Sequence, residues 1–350
     1  MVAQPAAVPR LPALLVRYRT GVDKGLREAL AVSLGGLERL FHYHMGWTDP
    51  SGKPMEDSGG KAVRPALCLW ACEGLGGEAA TAMPAAAAVE LVHNFSLIHD
   101  DIQDGDRERR NRPTVWALWG KPQGIVAGNA LRALADQALL GLVQRGVPPS
   151  RVLGASAILT GRYLEMIEGQ YLDLSYEGRV DLTVQDYLEM VGKKTGALME
   201  AALHLGAYLG SRDPRQVEAL RRCGRLLGLA FQARDDVLGL WGEEALTGKA
   251  TGADIRRRKT SLPILYALQA GGKAERARLT FYYARRDQIN RERVAEVLAL
   301  LESTGARAFA QRMAKEKAAE ALAWAREASL SPGTMQELEE LTEFIIHREH

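Results

Sequence analysis

Two acidic patches carry the chemistry this sequence can do. The first is Asp100-Asp101-Ile102-Gln103-Asp104. The second is Asp235-Asp236, within Phe231-Gln232-Ala233-Arg234-Asp235-Asp236-Val237-Leu238-Gly239. Each interrupts a stretch that otherwise reads as buried helix, Leu91 to Ile98 before the first and Leu226 to Phe231 before the second. Carboxylates are rarely placed on a buried face unless something compensates their charge. Residues four apart share a helix face, so Asp100 and Asp104 stack, with Asp101 beside them. A divalent cation relieves that repulsion. All-oxygen ligands suit Mg2+, which binds through a few carboxylates and completes its shell with water and phosphate oxygens. The loop glycine and terminal glutamate of a calcium EF-hand are absent. Either patch alone reads as a solvated helix end. Two of them, each on an apolar helix and each followed by basic residues (Arg109-Arg110; Lys249 and Lys259), favour metal.

The cations suggest what the metal would face. Gly59-Gly60-Lys61-Ala62-Val63-Arg64-Pro65 follows a polar loop and opens a helix. Glycines let backbone N–H groups approach an anion, and a helix start adds partial positive charge. Lys61 and Arg64, three apart, point to one face, a cradle for diphosphate that lacks the spacing of a P-loop. His93 lies two helical turns before Asp100 and shares its face. Arg107, Arg109, Arg110 and Arg112 follow the first patch, and arginine clusters bind phosphate bidentately. Lys193-Lys194-Thr195-Gly196 and Gly248-Lys249 add lysines beside glycine, and Gln170 and Asp173 add polar groups to an apolar helix. The sum suits a substrate with a metal-activated diphosphate head and an apolar tail. No Ser-His-Asp or Cys-His nucleophile arrangement appears.

These residues must be positioned by helices. Of the 350 residues, 47% are hydrophobic and only 6% aromatic, and much of the apolar content is Ala and Leu, which suits packed helices better than sheets. Helical periodicity runs roughly through 14–43, 64–75, 80–106, 124–142, 150–176, 184–209, 214–241, 262–270, 275–285, 291–302, 306–327 and 334–347. Breakers such as Gly146-Val147-Pro148-Pro149 and Gly271-Gly272 fall between them. Asp181-Leu182-Thr183 and Ser331-Pro332-Gly333-Thr334 look like capped helix starts. We read one all-α domain over 13–350, a bundle of long helices around a central apolar cavity. Residues 1–12 are Ala/Pro-rich and expected to be disordered. The net charge of +2 argues against a general nucleic-acid binder. The three cysteines form neither a disulfide framework nor a zinc site, which points to the cytoplasm. No stretch is long and apolar enough to span a membrane.

The ordered set resembles the trans-isoprenyl diphosphate synthases (polyprenyl synthetases) over roughly Leu14 to Glu343. The motifs are Gly60-Lys61 with Arg64-Pro65, Glu90 to His93, Leu97 to Asp104, Arg109-Arg110 with Pro113-Thr114, Gly169-Gln170, Lys194-Thr195-Gly196, Phe231-Gln232 with Asp235-Asp236, Gly248-Lys249, and Asp254 with Lys259 to Pro263. The resemblance implies the isoprenoid synthase fold and a homodimer that condenses isopentenyl diphosphate with an allylic diphosphate. It implies that Asp100, Asp104 and Asp235 bind three Mg2+ ions gripping the allylic diphosphate, with Asp101 in the same catalytic motif. Arg109, Lys194, Lys249 and Lys259 would hold that leaving group, and Lys61, Arg64, His93 and Arg110 the isopentenyl diphosphate. Thr195 and Gln232 would lie near the allylic cation.

Three positions depart from the family pattern. Gly239 replaces the last aspartate of the second motif, Asn129 stands where Asp is common, and Arg348-Glu349-His350 lacks the basic tail of some relatives. An isoprenoid cyclase of the same fold would not need the second-substrate cradle, and a non-catalytic partner subunit typically loses the first acidic motif; both features are kept. Phe95 and Ser96, five and four residues before Asp100, are the expected chain-length positions. By the family resemblance, an aromatic followed by a small residue before a short motif implies geranylgeranyl diphosphate as the main product, with farnesyl diphosphate next.

Overall fold

The computed structural model describes residues 11–55, 60–242, 252–284 and 289–347. The expected disorder of residues 1–12 therefore falls almost wholly outside the described residues; Leu11 packs on the main core. The chain opens with α1 (Ala13–Ala29) and α2 (Glu38–His44), where periodicity suggested one continuous helix. Gly35-Gly36, both with positive φ, lie between them. Next come α3 (Val63–Gly74) and α4 (Ala79–Gln103), the long helix that ends in the first acidic patch. A two-stranded hairpin, β1 (Glu108–Arg109) and β2 (Arg112–Pro113), was not anticipated, nor was the short α5 (Val115–Trp119).

Then follow α6 (Lys121–Leu140), α7 (Pro149–Tyr176), α8 (Val184–Val191), α9 (Ala197–Gly210) and α10 (Pro214–Trp241). Beyond them lie α11 (Ala253–Arg256), α12 (Leu262–Ala270), α13 (Lys273–Ala284), α14 (Arg291–Ser303), α15 (Ala306–Glu327) and α16 (Pro332–His347). Both expected caps are present in kind: Thr183 and Asp186 form a reciprocal capping box, and α16 begins with Pro332 after Ser331.

The main core gathers α1, α3, α4, α6, α7, α9 and α10, with α9 and α3 almost entirely buried. A second core lies among α8 and α12 to α15, against the far end of α10. The acidic ends of α4 and α10 are thus held by helices buried along most of their length. No described helix is long and apolar enough to cross a membrane.

Candidate active site

The run read as a single helix from Val184 to Leu209 contains a wide π-helical turn, Gly192–Gly196, between α8 and α9. Such turns insert one extra residue and are frequent at functional sites. Small residues admit it: a Cβ on Gly169 of α7 would fall 2.1 Å from the Lys194 nitrogen, and one on Gly228 of α10 would fall 2.5 Å from Gly196 Cα. Arg225 of α10 donates to the Gly192 carbonyl. It is itself tied to Glu165 and to Glu200, which is wholly buried. The turn delivers Lys194 and Thr195 into a cavity. Lys194 Nζ meets Asp173 Oδ2 at 2.5 Å, and the Thr195 hydroxyl donates to Gln232 Oε1 at 2.9 Å.

That cavity, of about 360 Å3, is bounded by Asp100 and Asp104 from α4, Asp173 from α7, Asp235 from α10 and Asp254 from α11, with Arg109, Lys194 and Lys259 among them. Burial, with Asp104 and Asp173 nearby, pushes the Asp100 carboxyl up to about 6, although Lys194 and Arg109 work against the shift. Burial also pushes Asp173 upward, but Lys194 and Lys259 outweigh it and hold that carboxyl below its usual range. Lys259 is the reverse case: burial opposes its charge, yet Asp173, Asp254 and Asp104 keep it protonated. Its ammonium lies 4.0 Å from Asp104. Among the described residues no three ligating side chains converge closely enough to hold a metal by themselves. Carboxylates on facing walls fit Mg2+ that takes its remaining ligands from water and a bound diphosphate. Lys249 lies outside the described residues, as do Gly59 and the C-terminal Arg348 to His350.

The second carboxylates of the two patches are bonded into the protein: Asp101 does not line the cavity, and Asp236 borders it with both oxygens already taken. Asp101 is 2% exposed and grips Arg109, with Nε at 2.8 Å and Nη2 at 2.7 Å from its Oδ1. Asp101, expected as part of the catalytic motif, thus holds the arginine that lines the cavity. Asp236 accepts from the Tyr187 hydroxyl at 2.6 Å, the Leu262 N–H at 2.8 Å and Gln232 Nε2 at 3.1 Å. Burial pushes it up to about 7 against those bonds. Tyr187 and Leu262 gave no signal in the sequence, because each looks like ordinary core.

Arg109 and Arg110 are presented by the hairpin. Its two-residue loop, Arg110-Asn111, has positive φ at both residues (53° and 58°), the conformation of a tight turn that usually takes Asn and Gly. A left-handed arginine costs roughly 1–2 kcal/mol, and such strain gathers at functional sites. Arg64 Nη1 lies 3.2 Å from His93 Nε2. Burial and then Arg64, Arg110 and Arg109 hold His93 well below its usual value, so the ring is neutral and its nitrogen accepts. Buried Glu90 interacts electrostatically with both Arg64 and Arg110. Lys61 extends elsewhere, its ammonium 5.2 Å from the centre of the Phe344 ring. Arg107 and Arg112 also leave the cluster. Arg107 packs on Trp116, while Arg112 stacks on Tyr43 and donates to the Thr48 carbonyl at 2.8 Å.

A second cavity, of about 720 Å3, adjoins the first and shares Leu97, Asp100, Arg109, Lys194, Thr195, Gln232 and Asp235 with it. Arg64, His93 and Arg110 lie on one side. Phe95, Met166, Leu174, Leu198 and Phe231 give it apolar walls, with Ser96 beside Phe95. It is not purely apolar, because His99, Asn129, Arg132 and Gln170 also line it. Phe95 is buried and meets the His99 ring edge-on at 5.5 Å.

Comparison with known proteins fits this geometry. The polyprenyl synthetase family pattern matches residues 48–301. The chain belongs to the polyprenyl synthetase family. It is 39% identical over 317 residues to a (2E,6E)-farnesyl diphosphate synthase of Mycobacterium tuberculosis, covering 89% of this chain and 86% of that one. It is 38% identical over 337 residues to a geranylgeranyl diphosphate synthase of the same organism, covering 96% and 94%. The crystal structure of a polyprenyl synthetase from Streptomyces coelicolor superposes with a TM-score of 0.88 at 40% identity, covering 95% of this chain and 98% of that one. Membership in the family accounts for the all-α isoprenoid synthase fold.

Proposed function

We propose that this protein is a short-chain trans-prenyltransferase that condenses isopentenyl diphosphate with an allylic diphosphate. The observation that carries the reading is the pairing of two acidic helix ends across one cation-lined cavity, continuous with a larger cavity that has apolar walls. Asp100, Asp104 and Asp235 would hold Mg2+, three ions in all, which when bound supplies positive charge to the departing diphosphate. Arg109, Lys194, Lys259 and Lys249 bind the same leaving group. To do so Lys194 exchanges its Asp173 contact for a diphosphate oxygen. Arg64, Arg110 and neutral His93 hold isopentenyl diphosphate, with Lys61 at the edge of that group. The hydroxyl of Thr195 and the amide oxygen of Gln232 lie where the two cavities meet, so their dipoles face the allylic cation as it forms. Apolar walls keep water from quenching that cation while the alkene attacks. The proton then released goes to the departed diphosphate.

Geranylgeranyl diphosphate is the proposed main product, with farnesyl diphosphate next. Phe95 and Ser96 stand on the tail cavity beside His99. We read residues 13–350 as one domain and the active form as a homodimer. Ile125, Val126, Leu140, Leu153, Leu164 and Tyr171 expose an apolar face on α6 and α7, which suits burial against a second copy. Three free buried cysteines agree with a cytoplasmic enzyme.

The test is incubation with Mg2+, dimethylallyl diphosphate and labelled isopentenyl diphosphate. Prenyl diphosphates in the extract support the reading. Hydrocarbons or alcohols from a pre-made longer allylic diphosphate would indicate a cyclase, and no turnover a non-catalytic subunit.

A further inference from the structure

The second acidic motif ends in glycine where the first ends in aspartate. Gly239 follows Asp235 by four residues, as Asp104 follows Asp100, so a carboxylate at 239 would stack on Asp235. The space for that side chain is already taken. A Cβ built on Gly239 would fall 2.1 Å from Asp254 Oδ2 and 2.9 Å from its Cγ. The glycine thus admits a carboxylate from another segment, fifteen residues further along the chain.

We propose that Asp254 supplies, from α11, the carboxylate that the second motif lacks, and that it acts with Asp235 on the cation held at that wall. The inference rests on the metal-dependent prenyl-transfer reading above and extends it to a residue of this chain. The turn that carries Asp254 is fixed by packing. Ile255 is wholly buried, and the Lys259 N–H donates to the Asp254 carbonyl at 3.0 Å. Asp254 borders the same cavity as Asp100, Asp104 and Asp235. It also acts electrostatically on Asp236 and on Lys259, a proposed ligand of the leaving group. The arrangement repeats the logic of the first patch, two carboxylates one turn apart, with the second borrowed across a helix–turn contact. What Gly239 meets is a carboxylate that opens on the cavity.

The experiment uses the full chain and Mn2+ as a spectroscopic substitute for Mg2+. Binding is measured by the paramagnetic resonance of free Mn2+ with inorganic pyrophosphate present, so the readout does not depend on turnover. Asp254→Asn and Asp254→Ala should each weaken Mn2+ binding by about 10–100-fold, as loss of a supporting ligand commonly does. Gly239→Asp alone puts two carboxylates in one space and should lower the melting temperature. The double variant Gly239→Asp/Asp254→Ala moves the carboxylate onto α10 and should regain the affinity and the condensation activity lost in Asp254→Ala. Asp254→Asn keeps the shape of the side chain and so decides the matter even if the double variant does not fold. Parent-like Mn2+ binding by Asp254→Asn overturns the inference. So does a folded double variant that binds as weakly as Asp254→Ala. A parent protein that binds no Mn2+ with pyrophosphate overturns the metal reading itself, a different result from parent binding with an unaffected Asp254→Asn.

Discussion

The two acidic patches share an Asp-Asp pair at the end of a long helix, and in both the first aspartate lines the cavity while the second spends its oxygens on bonds within the protein. They differ in what receives the second one. Asp101 meets a guanidinium, so its charge is matched within a buried pair. Asp236 meets a phenol, an amide and a backbone N–H, all neutral donors, and burial pushes its carboxyl up to about 7. The α4 patch thus fixes a cation beside the cavity. The α10 patch fixes an amide, Gln232, which joins Asp236 to Thr195. Under the proposed function one sequence pattern would do two jobs: order a charge for the diphosphate at one wall, and dipoles for the allylic cation at the other.

The largest effect should come from the residues the patches have in common. Asp100→Ala and Asp235→Ala should each lower kcat by about 10²–10³-fold or more, on the scale of losing a preorganised charge-stabilising group. Incorporation of labelled isopentenyl diphosphate measures it, and near-parent activity in either variant would remove that wall from the metal site. Next is the split between substrates. Arg64→Ala and Arg110→Ala should raise KM for isopentenyl diphosphate well above any change for the allylic partner. Equal changes would mean that one cation set serves both diphosphates.

The patches should separate cleanly in stability. Asp101→Asn leaves Arg109 without its charge and should cost about 1–3 kcal/mol. Asp236→Asn should do the opposite. A carboxyl raised above its unfolded value of 3.8 is held protonated by the fold, so its contribution is favourable at low pH and is lost as pH climbs toward 7. The asparagine removes that penalty, worth about 1.4 kcal/mol for each tenfold change in the carboxyl's proton affinity. In metal-free thermal melts Asp236→Asn should therefore gain more over the parent at pH 8.5 than at pH 5. A loss at both would mean that Asp236 is stabilised by charge as Asp101 is. The smallest effect concerns the α4 side alone, because that helix also lines the tail cavity. Phe95→Ala should lengthen the products with little change in KM. An unaltered chromatogram would place the floor of the cavity elsewhere.

Much of the scaffold was legible because proline and glycine punctuate it. The periodic runs 214–241, 262–270 and 306–327 coincide with α10, α12 and α15. Asp100 and Asp104 stood out because helical spacing alone puts two charges on one face. The fate of Asp101 did not, since it depends on a hairpin of two-residue strands that brings Arg109 back. Strands so short and so charged leave no alternating pattern to read. The contact of Asp254 with Gly239 joins separate segments, and spacing along the chain cannot show it. The run 184–209 hid the wide turn because the apolar stripe carries on through it.

That wide turn makes residue number part of the mechanism. Removing one residue from 192–196 would let α8 and α9 fuse into a regular helix whose flanks keep their phase, because the wide turn absorbs its extra residue in place. Lys194 and Thr195 could not both keep their partners, because the swollen turn that presents two consecutive residues to the cavity would be gone. A substitution there trims a contact, whereas a deletion removes the turn that carries both. Over this stretch, therefore, length is constrained more tightly than identity.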